Sequence, residues 1–211
     1  MAIKPILFNT EMVRAILEGR KSCTRRLVKP QPDEKHTYPL GFVTDSTEKK
    51  EVGCFGFAAN EYGGSIQYVK PPYRYAPGDI LYVRETWCKG LKRYIYRADY
   101  SDTEKFYRNG KEIEMKWHPS IHMPKEAARI WLKVTDVRVE RLQEITLEQI
   151  CREGVEIEYP YVLNGEEKIY AFSNLWNGTV KKSDIDRYGW DVNPWVWVVE
   201  FERCEKPACM R

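Results

Sequence analysis

The spacing of apolar residues along the chain predicts short strands separated by three helices. Residues 3–8 read as a short strand, and the apolar positions of residues 10–19 then recur at helical spacing. Asn9 or Thr10 is expected to cap this first helix, because both side chains can accept a hydrogen bond from the first turn. Gly19 is expected to lie just past its end.

Two further helices are predicted in the second half of the chain. Thr146-Leu147-Glu148-Gln149 is a capping-box pattern, which predicts a helix over residues 146–153 that closes at Gly154. Residues 169–177 repeat helical apolar spacing and are followed by a stop signal at Asn177-Gly178.

The clearest strands lie near the middle and the end of the chain. Apolar residues alternate over residues 128–141, but their phase slips by one position at Thr135-Asp136, which predicts a β-bulge. Residues 195–201 are apolar on both faces, as expected of a strand covered on both sides. A turn at Pro77-Gly78 feeds another alternating strand that runs to Trp87.

Residues 33–75 have no clear periodicity, and hairpins or a loosely packed excursion are both compatible with them. We interpret this segment as an insertion into one domain rather than as a second domain. Its aromatic residues could stack nucleobases or pack on the side of the sheet; they are Phe42, Phe55, Phe57, Tyr62 and Tyr68. The expected organisation is a single domain over residues 1–203 and a flexible tail over 204–211.

Charge is distributed unevenly along the 211 residues. The net charge is +3, but the first thirty residues hold seven cations and two acids, so the remainder nets −2. A local basic face favours a phosphate-bearing partner. The six cysteines lack Cys-x-x-Cys spacing, no apolar run approaches the roughly twenty residues that span a bilayer, and no signal peptide is evident, so we expect a cytoplasmic protein with reduced thiols.

The cations concentrate in residues 19–26, which carry four cations and two hydroxyls. A helix that ends at a glycine before such a stretch offers hydrogen-bond donors and a nucleophile to an anionic or carbonyl ligand. A solvated basic turn is the other interpretation. Glu85 shares a strand face with Leu81 and Val83, so its carboxylate requires a cation or several donors if that face is buried, and Lys21 or a neighbouring arginine is the obvious candidate.

These residues resemble the ASCH domain, a branch of the PUA-like superfamily. The similarity lies in Gly19-Arg20-Lys21-x-x-Thr24 after a first helix and in Pro77-Gly78-Asp79 leading into Val83-Arg84-Glu85-Thr86-Trp87. Residues 117–124, 137–142 and 193–197 are similar to the larger bacterial and phage members. The resemblance implies an α+β fold, a mostly antiparallel β-barrel of PUA-like type with helices on its outside.

The resemblance also implies a function. Some small ASCH proteins are amidohydrolases of N4-acetylcytidine that use a lysine, a threonine and a glutamate, which match Lys21, Thr24 and Glu85 here. Thr24 would be the nucleophile, Lys21 its base and Glu85 the acid that orients Lys21. A Lys21–Glu85 ion pair with a purely structural role remains an alternative. So do a non-catalytic RNA-binding module and a metal-independent ribonuclease.

Other residues are candidates for binding RNA or a modified nucleoside. Four arginines are expected to form an anion-binding rim, namely Arg20, Arg25, Arg26 and Arg84. Trp87, Ser120 and His122 are candidates for lining a cleft. His118 and His122 are four residues apart, but Pro119 between them spoils helical metal-ligand geometry, so we expect neither a metal nor another cofactor.

Overall fold

A computed structural model describes residues 1–91, 93–155 and 165–208, and shows an α+β chain. Its strands and helices, in chain order, are β1 (Ile3–Leu7), α1 (Thr10–Leu17), β2 (Cys23–Leu27), β3 (Tyr38–Phe42), β4 (Phe55–Asn60), β5 (Gly63–Val69), β6 (Ile80–Arg84), β7 (Trp87–Lys89), β8 (Tyr94–Tyr96), β9 (Phe106–Arg108), β10 (Lys111–Ile113), β11 (Trp131–Arg141), α2 (Leu147–Arg152), α3 (Glu166–Thr179), α4 (Ile185–Tyr188) and β12 (Trp195–Cys204).

The largest sheet has five strands in the order β1-β6-β11-β12-β2. β1 and β6 are parallel, and the other neighbours are antiparallel. The register of β11 against β12 shifts between Val134 and Asp136, which confirms the predicted bulge. Because of this shift Val134 and Val137 are both buried, although they lie at positions of opposite parity.

The predicted closure into a barrel is wrong for the residues that the structure describes. β1 and β2 are the two edges of the five-stranded sheet, and no backbone ladder joins them. The link between these edges is a side chain, because the Nη2 atom of Arg26 donates to the carbonyl oxygen of Leu7 at 2.8 Å.

The segment over residues 33–75 contains a three-stranded antiparallel sheet, β3-β4-β5, so it forms hairpins. Its phenylalanines pack into the main core: Phe55 lies 6.1 Å from Trp197 and Phe57 lies 5.1 Å from Trp195, measured between ring centroids. Packing on the main sheet is therefore confirmed for these two rings. By contrast, Tyr62 is exposed.

The three predicted helices are confirmed. Asn9 caps α1 by accepting from the backbone of Met12, and Thr146 caps α2 with the expected capping box. α3 extends beyond its predicted bounds, so the predicted stop at Asn177-Gly178 falls inside its last turn. None of the helices in the described part of the chain is long and apolar enough to cross a membrane.

Strand β12 is covered on both faces, as its apolar sequence predicted. Trp197 belongs to the core between the sheets, whereas Val196 and Val198 pack with Phe172 and Trp176 of α3. This second contact places α2 and α3 over the outer face of β12 and beside β2. The candidate site lies at the edge of the sheet formed by β2, with lining residues from both of its faces.

The C-terminal strand β12 is longer than the sequence predicted. The strand continues to Cys204, which pairs with Trp131, so the predicted tail does not begin at Cys204. The last three positions, including Cys209, lie outside the described residues. β9 and β10 pair as an antiparallel two-stranded hairpin.

Candidate functional site

The basic stretch is fixed between the ends of α1 and α2. Gly19 adopts a positive φ of 78°, and the chain then turns so that the backbone nitrogens of Arg20 and Lys21 both donate to the carbonyl oxygen of Ala15. The backbone nitrogen of Ser22 donates to Arg152 at the end of α2. These bonds hold the stretch in a defined path into β2.

Lys21 is buried and forms an ion pair with Glu153. Its Nζ atom donates to Oε2 of Glu153 at 2.7 Å and to the backbone carbonyl of the same residue at 2.8 Å. The Nη1 atom of Arg25 reaches the second carboxylate oxygen at 3.2 Å. A carboxylate between two buried cations, with its oxygens hydrogen-bonded, avoids the large cost of an isolated buried charge.

Sequence reasoning missed Glu153. The residue follows the last turn of α2, where the helix dipole disfavours a negative charge, so a carboxylate there was a weak signal that a cation meets it. The partners of Glu153 are more than 125 residues away in the chain. Only the fold brings them together.

Arg25 connects this pair to the neighbouring strand and helix. Its Nη2 atom binds Gln149 at 2.9 Å and Glu140 at 3.1 Å, so its guanidinium is almost fully engaged with protein acceptors. Its Nε atom is buried without an acceptor in the described part of the chain. Arg25 is therefore a structural centre of the site rather than an exposed anion-binding rim residue.

Thr24 lies on regular strand and not on a turn. It pairs with Val199 in the β2–β12 ladder. Strand alternation places Cys23 and Arg25 on the side of α2, and Thr24 on the opposite side with Arg26. Within the residues that the structure covers, the Thr24 hydroxyl makes no hydrogen bond, and the donors of Lys21 are directed to Glu153. Lys21 and Thr24, the predicted base and nucleophile, therefore form no direct hydrogen bond here.

Both residues nevertheless line one cavity of about 490 Å³. Its walls combine the polar cluster with apolar side chains of β1, α1 and α3, and the lining residues are Leu7, Phe8, Asn9, Met12, Lys21, Thr24, Arg25, Arg26, Leu27, Lys29, Glu153, Phe172, Leu175, Trp176 and Thr179. Predominantly apolar walls with a few convergent polar groups are typical of a small-molecule site.

The thiol of Cys23 is close to this cluster but is unsuited to nucleophilic chemistry. Burial, together with the negative charge of Glu153, raises the pKa of Cys23 to about 12. The thiolate is the reactive form of cysteine, so this side chain remains an inert thiol at neutral pH.

Glu85 does not line the cavity, and its predicted pairing with Lys21 is wrong. Its carboxylate is buried and is bound at both oxygens by Arg129, at 2.9 and 3.0 Å. Arg129 also binds Asp99 at 2.8 Å, and its guanidinium carbon lies 4.0 Å from the ring centroid of Tyr96. Burial raises the pKa of Glu85, while the hydrogen bonds and charge of Arg129 act in the opposite direction.

The four arginines of the predicted rim do not act together. Arg20 binds Glu18 at 2.8 Å, and Arg84 binds the backbone carbonyls of Ile121 and Met123, the latter at 2.9 Å. Neither arginine lines the cavity, whereas Arg25 and Arg26 do. Arg26 is therefore the only predicted rim residue that lines the cavity without an acidic partner in the described structure, because Arg25 is bound to acidic side chains.

The remaining candidates lie away from the cavity. Trp87 forms an isolated backbone β-bridge with His118, and the centroids of their two rings are 5.0 Å apart. Ser120 and His122 belong to a 3-10 turn that Arg84 anchors. Across the three described ranges, no group of three or more His, Cys, Asp or Glu side chains is placed to hold a metal ion.

Comparison with known proteins adds little to this geometry. No protein-family model and no curated protein matches the chain. The crystal structure of hypothetical protein PH0355 is similar over 97% of this chain and 100% of that chain, with 15% sequence identity and a TM-score of 0.34. A similarity this low identifies neither a fold nor an activity.

Proposed function

We propose that the chain is an amidohydrolase that removes an acyl group from the exocyclic amine of a cytosine nucleoside, the activity that the ASCH resemblance implies. The observation that carries the proposal is the cavity, in which an unengaged Thr24 hydroxyl, the Lys21–Glu153 pair and an apolar wall occur together. Such a combination supplies a nucleophile, a proton carrier and a surface for a planar base.

The apolar part of the cavity suits a nucleobase. The aromatic side chains along the described lining are Phe8, Phe172 and Trp176, and Met12 and Leu175 extend the apolar surface. Stacking of a base on an aromatic ring contributes about 1–3 kcal/mol. The base would thereby be held with its exocyclic amide near the polar end of the cavity.

The proposed reaction begins with attack of the Thr24 hydroxyl oxygen on the acyl carbonyl carbon. The Lys21 ammonium first passes one proton to the Glu153 carboxylate that it already binds, and the neutral amine that results accepts the hydroxyl proton of Thr24. The tetrahedral intermediate then loses its carbon–nitrogen bond, and the proton returns through Lys21 to the departing amine. Water finally hydrolyses the ester on Thr24, which releases the carboxylic acid and restores the hydroxyl.

Glu153 takes the role that the resemblance assigns to Glu85. The reason is direct contact: Glu153 binds Lys21 at 2.7 Å, whereas Glu85 binds Arg129 and does not line the cavity. The Lys21–Thr24 hydrogen bond must form in the substrate complex, as catalytic hydrogen bonds often do.

A non-catalytic RNA-binding module is the second candidate. The observation that favours it is the absence of a Lys21–Thr24 hydrogen bond in the described structure, together with a cavity lined by four cations and one carboxylate. This candidate predicts RNA binding that weakens steeply with salt and no release of acid from any acylated nucleoside.

Release of cytidine from N4-acetylcytidine tests the proposal. We expect turnover by the wild type and a loss of about 100-fold or more in Thr24→Val, Lys21→Met and Glu153→Gln, because each removes a group in the proton path. Glu202→Gln, at an exposed ion pair with Lys133, is the control and should match the wild type.

Glu85→Gln separates the two carboxylates. If Glu153→Gln keeps full turnover while a folded Glu85→Gln variant loses it, Glu85 is the working acid and the Glu153 assignment is wrong. Absence of turnover by the wild type, with salt-dependent RNA binding, would replace the hydrolase with the binding module. Circular dichroism spectra of each variant must match that of the wild type for the comparison to count.

A further inference from the structure

The cations that line the cavity are not equally neutralised. Lys21 and Arg25 both bind Glu153, which is the carboxylate in the described lining. Arg26 and Lys29 line the same cavity and form no ion pair with any residue in the described ranges. The described lining of the cavity therefore carries an excess of positive charge.

Arg26 keeps most of its hydrogen-bonding capacity unused. Its single hydrogen bond to a described residue runs from Nη2 to the carbonyl oxygen of Leu7, at 2.8 Å. The guanidinium carbon lies 5.5 Å from the ring centroid of Phe8, within the range of a cation–π contact. The Nε and Nη1 donors of Arg26 make no hydrogen bond to a described residue, and Arg26 lines the cavity, so both donors remain for an acceptor bound there.

The environment of Arg26 is unfavourable for a cation without a partner. Burial lowers the pKa of Arg26, and the nearby Tyr75 and Glu153 offset this effect only in part. A buried cation is stabilised when an anion meets it, because the Coulomb attraction then compensates for lost hydration. A bound anionic group would provide that compensation.

We propose that the substrate carries a phosphate group that binds Arg26, so that the enzyme acts on an acylated cytidine nucleotide in preference to the free nucleoside. This inference rests on the proposed function for the identity of the base. A planar guanidinium with several free donors matches phosphate oxygens well. Lys29, whose Nζ atom lies 5.0 Å from the ring centroid of Tyr188, adds a second positive charge at the same cavity.

The shape of the cavity favours a mononucleotide over an RNA strand. Side chains of α3, namely Phe172, Leu175, Trp176 and Thr179, form one wall against β2. The cavity of about 490 Å³ is of the size that holds one small ligand rather than a polymer. The phosphate is therefore expected to be the 5′-monophosphate of the same nucleotide whose base lies on the apolar wall.

Titration calorimetry with cytidine and cytidine 5′-monophosphate tests this inference directly, since both are products and neither needs turnover. We expect the monophosphate to bind the wild type about 10- to 100-fold more tightly, as is typical of a hydrogen bond to a charged group. Arg26→Gln should abolish this difference and Arg26→Lys should retain part of it. Arg203→Gln removes the same charge from an exposed arginine that does not line the cavity, and should leave the difference unchanged.

Parallel turnover measurements with N4-acetylcytidine and its 5′-monophosphate separate this inference from the proposed function. Equal binding of cytidine and its monophosphate by the wild type would overturn the phosphate site, even if both acylated compounds are hydrolysed. Preferential binding of the monophosphate that is lost in Arg26→Gln would support the site, even if neither compound is hydrolysed. Tighter binding of a longer RNA, increasing with its length, would overturn the assignment to a mononucleotide.

Discussion

Gly154 allows the end of α2 to lie directly against Lys21. Its φ is +81°, a left-handed conformation that non-glycine residues rarely adopt. A Cβ atom at this position would lie 2.7 Å from the Cβ of Ala15 and 3.0 Å from that of Lys21. The adjacent Glu153 reaches the Lys21 ammonium only because this approach is so close.

Gly154→Ala is expected to destabilise the fold by about 2 kcal/mol or more, because the added methyl group combines a strained φ with a steric clash. Urea unfolding measures the change. Gly178→Ala is the matched control: its Cβ would meet no atom within 4 Å in α3, so that change should be neutral or stabilising by up to about 1 kcal/mol. Equal unfolding midpoints for the two variants would contradict this account.

Individual site residues were predictable where a local pattern marks them. Lys21, Thr24, Arg25 and Arg26 were identified from their density after a helix end, and the structure places all four on one cavity. Partner choice was not predictable, because it depends on long-range contacts. Glu153 forms an ion pair with Lys21, and Arg129 forms one with Glu85. In each pair the two residues lie in segments whose positions in the sequence give no sign that they are in contact.

At the scale of elements, Asp79 holds the parallel pair β1 and β6 in register. Its carboxylate accepts from the backbone nitrogens of Ala2 at 2.7 Å and Ala76 at 3.0 Å, and from the ammonium of Lys4. Burial by itself raises the pKa of Asp79, but these hydrogen bonds and the charge of Lys4 outweigh it and lower the pKa below the ordinary value. The ionised carboxylate thus stabilises the edge of the main sheet.

Asp79→Asn should therefore lose stability in a pH-dependent way. A carboxyl with a lowered folded pKa contributes stability above its unfolded pKa of about 4, and the contribution disappears as the pH falls through the folded pKa. We expect a loss of about 1–3 kcal/mol at pH 7 that shrinks towards zero in acid. Urea unfolding over this pH range measures it, and Asp45→Asn, at an exposed aspartate, should show no such trend. A loss that grows in acid would contradict the assignment.

Element types followed from sequence because their signals are local. The capping box at Thr146, the glycine after α1 and the phase slip near Thr135 each reflect chemistry within a few residues, and the structure confirms all three. The parallel pairing of β1 with β6 is not local. It joins Ile3 to Ile80 across a segment that forms its own sheet, so alternation alone could not reveal it.

For the whole molecule, sequence reasoning reached the α+β class and the antiparallel majority of the sheet, but not its open edge. Closure depends on whether β1 and β2 approach within backbone hydrogen-bonding distance, and here the side chain of Arg26 lies between them. The same arrangement positions Arg26 beside the cavity. Arg26 thus belongs both to the open edge of the sheet and to the lining of the cavity.

The most direct test of the central claim, that this cavity is the substrate site, is a crystal structure of the Thr24→Val variant soaked with N4-acetylcytidine 5′-monophosphate. The predicted result is density for the base against Phe8 and Trp176, with the acyl carbonyl carbon beside position 24 and within reach of Lys21. Density for the base at another place, such as the cleft beside Tyr96 and Arg129, with the cavity left empty, would contradict the claim.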